Sequence, residues 1–526
     1  MRTVFNTEIL KIALFSFIGL IITIIFNASI AATEIDRLEI NVSNKPKKLI
    51  DLSLPIVATV GEIEFRDCVV ESQGRDRTLQ CAWFQVAENP AEKESKKIDL
   101  FIARIPAKKP IKALDPMLFL AGGPGQSASR SYLHIDRPFD RLSKDRDFYL
   151  VDQRGTGHSN PLVCGKDIAE EQSKLTKYDS DVLKDLTVRC LQQLSGDSRF
   201  YTTSVAIKDF ELVRKALKIQ SWNLFGVSYG TRTAIQYMRK YPDAIRTVLL
   251  DSVVPPELPI FADIAINSQK ILSTLFLRCE KNIECNKNFP NLFGKVNELF
   301  VTLKKAPIDI EVENFSSGQQ EKTKFTHYHL MTLIRLYLYD SASIAILPPM
   351  LYEASVNNNF APIARAFNNM SALMNNVFST GMHNAVVCTE DFPFFQLDKM
   401  FLEKNEETYL GTTLLESIQT TCEVWPKGIM DPDFKEKIIS EIPTLIFSGE
   451  YDPITPPKYG ESILAGLKNA KHWIFKGQGH FVSVKGCAPY LVENFVNDAS
   501  VEWLNDSCLK RLNAAPLFIN FNGPKP

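Results

Sequence analysis

The chain has 526 residues, 45% of them hydrophobic and 23% charged, with a formal net charge of -1. That composition excludes a disordered polar chain. The near balance of cationic and acidic residues, scattered along the chain, provides no basic face for nucleic acid, which is not expected as a partner.

At the N-terminus, Arg2 and Lys11 precede an apolar run from Ile12 to Phe26, followed by Asn27-Ala28-Ser29-Ile30-Ala31-Ala32. A basic start, an apolar stretch and small residues at Ser29 and Ala31 describe a secretory signal peptide over residues 1–31, cut after Ala31. The alternative is a retained anchor, since Ile12 to Ala32 is nearly long enough to span a bilayer. The expectation is a secreted or periplasmic protein without stable membrane association after cleavage.

All ten cysteines follow the signal, and an even number in an exported chain favours disulfides. Pairing of neighbours along the chain gives Cys68–Cys81, Cys164–Cys190, Cys279–Cys285, Cys388–Cys422 and Cys487–Cys508. A zinc site would need a Cys-x-x-Cys spacing or a nearby His, and neither is present. No metal and no cofactor is expected.

Short β-rich runs, Cys81–Val86 and Ile98–Ala103, come first. Continuous apolar runs ending in Gly or Asp come next: Met117–Leu120, Phe148–Val151, Trp222–Phe225 and Thr247–Leu250. The same pattern returns at Thr444–Phe447 and His472–Phe475. Such runs, separated by helical periodicity, read as buried strands of a parallel sheet. Residues 256–440 instead show amphipathic segments of helix length, such as Ile271–Cys279 and His329–Tyr339. The expected organisation is an α/β core in two parts, 32–255 and 441–526, with a mainly helical cap at 256–440 inserted between them.

The strand at Trp222–Phe225 enters Gly226-Val227-Ser228-Tyr229-Gly230, and a helical stretch leaves through Thr231–Tyr237. Strand, turn and helix with a serine at the apex form a nucleophile elbow. A serine hydroxyl attacks only when a base takes its proton, and the base needs a carboxylate to orient it. In the elbow architecture these follow in the order Ser, acid, His. His480 follows the last strand in Gly477-Gln478-Gly479-His480, and Asp452 follows the preceding strand in Ser448-Gly449-Glu450-Tyr451-Asp452. Ser228, Asp452 and His480 are therefore the catalytic candidates. Glu450 is the rival acid, Asp431 and Asp433 are weaker ones, and His472 at a strand start reads as structural. One oxyanion donor should be the N–H of Tyr229. The other should come from the loop Ala121-Gly122-Gly123-Pro124-Gly125, with Gly123 first and Gly122 as the alternative.

Gly122–Gly125, the run Asp152-Gln153-Arg154-Gly155-Thr156-Gly157-His158-Ser159 and the Ser228 elbow together resemble the prolyl and tripeptidyl aminopeptidase family of α/β-hydrolase serine peptidases. The stretch from Pro443 through His480 to Cys508 is similar to the C-terminal region of its secreted tripeptidyl-aminopeptidase branch. So are Ala385–Asp391 and Cys422–Trp425. Ala121 stands where prolyl aminopeptidases usually carry His, which departs from strict proline specificity. The resemblance implies an α/β-hydrolase fold with an inserted helical cap and peptide substrates. It further implies release of single residues or tripeptides from free N-termini. It also points to cap acids that bind the substrate ammonium, here Glu390 and Asp391. The same site could serve an esterase or lipase, and that alternative stays open.

Overall fold

The computed structural model describes residues 53–525, apart from 73–74, 110–114, 174, 176–177 and 314–317. The expected signal peptide, residues 1–31, lies outside the described residues.

The strands expected from apolar runs all form. They are β5 (Met117–Leu120), β6 (Phe148–Val151), β7 (Trp222–Val227), β8 (Ile245–Asp251), β11 (Thr444–Gly449) and β12 (Ala470–Phe475). Before them come β1 (Ile56–Val60), β2 (Ile63–Ser72), β3 (Arg75–Ala87) and β4 (Lys97–Ile105). One ten-stranded sheet joins them in the order β1-β2-β3-β4-β6-β5-β7-β8-β11-β12. Pairing is antiparallel from β1 to the β4–β6 contact and parallel from β6 to β12. The two halves differ in pattern for a physical reason. β2 alternates buried and exposed residues, as a strand with one wet face must, whereas β5, β6 and β11 are buried throughout between helical layers.

The alternation of side chains divides the core in two. Leu118, Leu120 and Leu224 face one layer, and Met117, Phe119 and Phe225 face the other. β5 lies between β6 and β7, so successive crossovers diverge there and leave a crevice beyond the carboxyl ends of the strands.

Between β8 and β11 the chain leaves the sheet. It forms helices Ile264–Lys281, Leu292–Lys305, His327–Tyr337, Ser341–Val356 and Ala361–Val377, which share a core including Leu272, Val296, Leu333 and Leu347. A hairpin of β9 (Ile308–Glu313) and β10 (Gln320–Phe325), unforeseen from the sequence, is part of this layer. Helix Thr380–Val386 then continues as one π-helical turn, Val387–Asp391. Among the described residues no helix is long and apolar enough to cross a membrane. The ten cysteines are joined in the five expected pairs.

Candidate active site

Ser228 sits between β7 and helix Tyr229–Lys240 with φ 55° and ψ -125°. A side chain pays about 1–3 kcal/mol for such a conformation, and the surrounding chain imposes it here. The flanking glycines are sterically required. A Cβ on Gly226 would lie 2.5 Å from Gly230 O, and one on Gly230 would lie 2.1 Å from Leu120 O. Strand and helix therefore cross closely and lift the serine to the sheet edge. Ser228 is only partly buried.

Four further strand ends surround it. After β5, the glycine loop lies against the serine: a Cβ on Gly122 would be 3.2 Å from Ser228 Cβ. Gly123 has φ 114° and precedes a cis proline. Tyr229 opens its helix, so its N–H has no acceptor one turn back.

After β11, Asp452 is fully enclosed. Its Oδ1 accepts from the N–H groups of Ile454 and Thr455, each at 2.9 Å, and its Oδ2 accepts from Thr455 Oγ1 at 2.7 Å. The remaining bond joins Oδ2 to His480 Nδ1, 2.8 Å away on the loop after β12. Burial pushes Asp452 up, but the charge and hydrogen bond of His480, with the Thr455 bonds, hold it below the ordinary carboxylate value. For His480, burial acts downward and the Asp452 carboxylate outweighs it, so the imidazole lies above its ordinary 6.5. Ser228 Oγ has no hydrogen-bond partner among the described residues; catalytic hydrogen bonds often tighten only as substrate binds.

β8 contributes a residue pair that sequence reading passed over. Asp251, wholly buried, accepts from Val482 N at 3.0 Å and Ser483 N at 2.6 Å, while Ser252 Oγ accepts from Phe481 N at 2.8 Å. Ser228 N donates to Asp251 O at 2.9 Å. One strand end thus clamps both the serine and the histidine loop. The available signal was Asp251 ending an apolar run, as Asp152 does.

The other sequence candidates separate clearly. Glu450 accepts from Gly477 N at 2.7 Å and braces the histidine loop from below. His472 contacts Ser448 Oγ at 2.9 Å, and burial lowers its pKa, in keeping with a structural part. Asp431 lies 3.8 Å from Lys240 at the surface side of the core. Arg154 forms a two-pronged pair with Asp209, at 2.6 and 2.8 Å.

Glu390 and Asp391, the acids expected to receive a substrate ammonium, close the π-helical turn, and Asp391 Oδ2 has no hydrogen-bond partner among the described residues. Both are wholly buried. Glu390 accepts from Thr203 N at 2.7 Å and Thr203 Oγ1 at 2.8 Å. Asp391 Oδ1 accepts from Arg232 at 2.8 Å and Ile260 N at 2.7 Å. Burial pushes Glu390 up to about 7, against the charge of Arg232. The π-helical turn carries both acids into the interior. There they fasten cap to core, and Thr203 passes the contact on to the Tyr229 hydroxyl at 2.6 Å.

Residues 115–278 match the α/β hydrolase fold family, and residues 407–508 match the family described as TAP-like protein. The chain has the α/β-hydrolase fold. This hydrolase is 23% identical over 404 residues to serine protease Hip1 of Mycobacterium tuberculosis, covering 69% of this chain and 75% of that one. Tripeptidyl aminopeptidase of Streptomyces lividans is 27% identical over 210 residues, or 37% of this hydrolase and 38% of its relative. Proline iminopeptidase of Aeromonas sobria is 28% identical over 191 residues, with shares of 36% and 39%. The resemblance to the tripeptidyl and prolyl aminopeptidase family stands, since this hydrolase matches relatives of both names.

Proposed function

We propose that this hydrolase is an exported serine exopeptidase that releases residues from peptide N-termini through a covalent acyl-enzyme. One observation carries the chemistry: a serine held at φ 55° shares a sheet edge with a histidine bonded to a buried carboxylate at 2.8 Å. In this scheme His480 Nε2 takes the Ser228 proton as Oγ attacks the peptide carbonyl. Asp452 holds the Nδ1–H tautomer and favours the imidazolium that forms. The N–H groups of Tyr229 and Gly123 receive the developing oxyanion, and protonated His480 then donates to the leaving amine. Water, deprotonated by the same base, releases the acyl group. Five disulfides support an oxidising, exported setting. The peptidase relatives and the TAP-like segment support peptide substrates and the N-terminal mode.

A second reading, an esterase, gains from one observation: both oxygens of Glu390 and one of Asp391 already accept hydrogen bonds inside the protein. A peptide set offered free and N-acetylated, with products read by mass, separates the two. Preferential cleavage of free peptides, lost in Ser228→Ala, is the expected result. Equal cleavage of the acetylated set overturns the N-terminal mode, and full activity in a folded Ser228→Ala protein overturns the mechanism.

A further inference from the structure

Helix His327–Tyr337 approaches the site with its C-terminal end. Tyr339, just beyond it, accepts from His480 N at 2.7 Å through its carbonyl, and its ring meets the His480 ring edge-on at 5.3 Å between centroids. Met331, Arg335 and Tyr339 stand four residues apart and so share one side of the element. That side faces a small apolar cluster of Ile264, Met331, Leu410 and Ile454, against which Tyr339 and Tyr409 pack. Ile454 follows Asp452 by two residues and donates to it, so the cluster adjoins the histidine–aspartate pair.

Arg335 is half-buried on this side, and its side chain has no hydrogen-bond or ion-pair partner among the described residues. Its charge acts on Tyr339, on Tyr409 and on His383, whose Nδ1 lies 3.0 Å from Pro124 O in the glycine loop. The guanidinium thus lies within electrostatic reach of groups beside both the His480 loop and the glycine loop. Two buried hydroxyls near it, Tyr409 Oη and Ser268 Oγ, lie close to each other and have no other partner among the described residues. The acids around it have partners of their own, one oxygen of Asp391 excepted. Asp340 accepts from Lys485 at 2.7 Å, Asp263 accepts from Tyr459, and Asp391 accepts from Arg232.

A guanidinium carries donors only, and both hydroxyls can donate. What such a set lacks is a charged acceptor, and carboxylate matches the planar fork of Arg. We propose that Arg335, with Tyr409 and Ser268, forms a subsite beside His480 that binds a carboxylate of the substrate peptide. This rests on the peptidase reading and extends it from residues that carry the reaction to one that selects the substrate. The carboxylate could be the free C-terminus of a short peptide or an Asp or Glu side chain.

The test measures kcat/KM for matched short peptides: free acid against C-terminal amide, and Glu against Gln at each position. Within each protein the carboxylate-to-neutral ratio is read, so a general loss of activity cancels. Wild type should favour one carboxylate series by about tenfold or more, mainly through KM. Arg335→Gln should bring that ratio near one, and Arg335→Lys should restore part of it. A wild-type ratio near one in both series, or a ratio unchanged by Arg335→Gln, overturns the subsite. Which series responds tells a C-terminal from a side-chain carboxylate. A neutral ester substrate keeps the two readings distinguishable. If the ester is turned over and no peptide is, the peptidase reading fails, and peptide inhibition of ester turnover tests the subsite. Stronger inhibition by acids than by amides, abolished in Arg335→Gln, supports it, and equal inhibition overturns it.

Discussion

Replacing Asp452 with Asn alters one atom of the site and little of its frame. The Oδ1 position, which accepts from Ile454 N and Thr455 N at 2.9 Å, keeps an oxygen. The amide nitrogen then takes the Oδ2 position, 2.8 Å from His480 Nδ1. An amide N–H there donates to Nδ1 and forces the ring proton onto Nε2, the atom that must accept the Ser228 proton. The histidine stays in place in the wrong tautomer. Loss of about 10⁴ in kcat is expected, equivalent to about 5 kcal/mol of transition-state stabilisation. Initial rates on a peptide and on an activated ester, beside thermal unfolding, measure this. A folded Asp452→Asn protein retaining kcat within tenfold of wild type would refute the assignment of Asp452 as the orienting acid.

The base works only when neutral, and His480 is held above 6.5 chiefly by Asp452 against its own burial. kcat/KM should therefore fall as pH drops through a midpoint above 6.5, and a midpoint below 6 would contradict the geometry. Asp251 contributes to the same upward shift, so Asp251→Asn should move that midpoint down; an unmoved acid limb would leave Asp251 a purely structural clamp. Arg232→Met removes the partner of buried Asp391 and should cost about 3–5 kcal/mol, read as a lower denaturant midpoint with unchanged slope. Loss of Cys388–Cys422, which closes a 34-residue separation, should cost about 4 kcal/mol in a Cys388→Ser/Cys422→Ser protein by chain-entropy reasoning. Both are checked by equilibrium unfolding, and a change under 1 kcal/mol in either would count against the fastening role of the π-helical turn.

Where the structure adds to the sequence reading of a residue, a tertiary event supplies the addition. Glu390 and Asp391 stand in a motif that reads as a recognition pair, and the π-helical turn buries both beside partners from distant segments. Asp251 ends a strand like several other residues, and its grip on Val482 and Ser483 crosses a sequence separation of more than two hundred residues. Nothing local could announce it. Arg335 is an ordinary cation on an amphipathic helix until the chain folds and Asp340 and Asp263 beside it prove to have other partners.

The sequence by itself determined the strands, the elbow, the order of Ser228, Asp452 and His480, and the disulfide pairs. These rest on short-range rules: burial makes parallel strands continuously apolar, Gly226 and Gly230 leave room for a crossing chain, and neighbouring cysteines pair within one segment. Only the tertiary structure decided how the cap sits over those strand ends, which charges remain unpaired there, and which backbone groups hold the histidine loop. Those depend on desolvation and long-range hydrogen bonding, whose energies belong to the assembled surroundings and to no single stretch of chain.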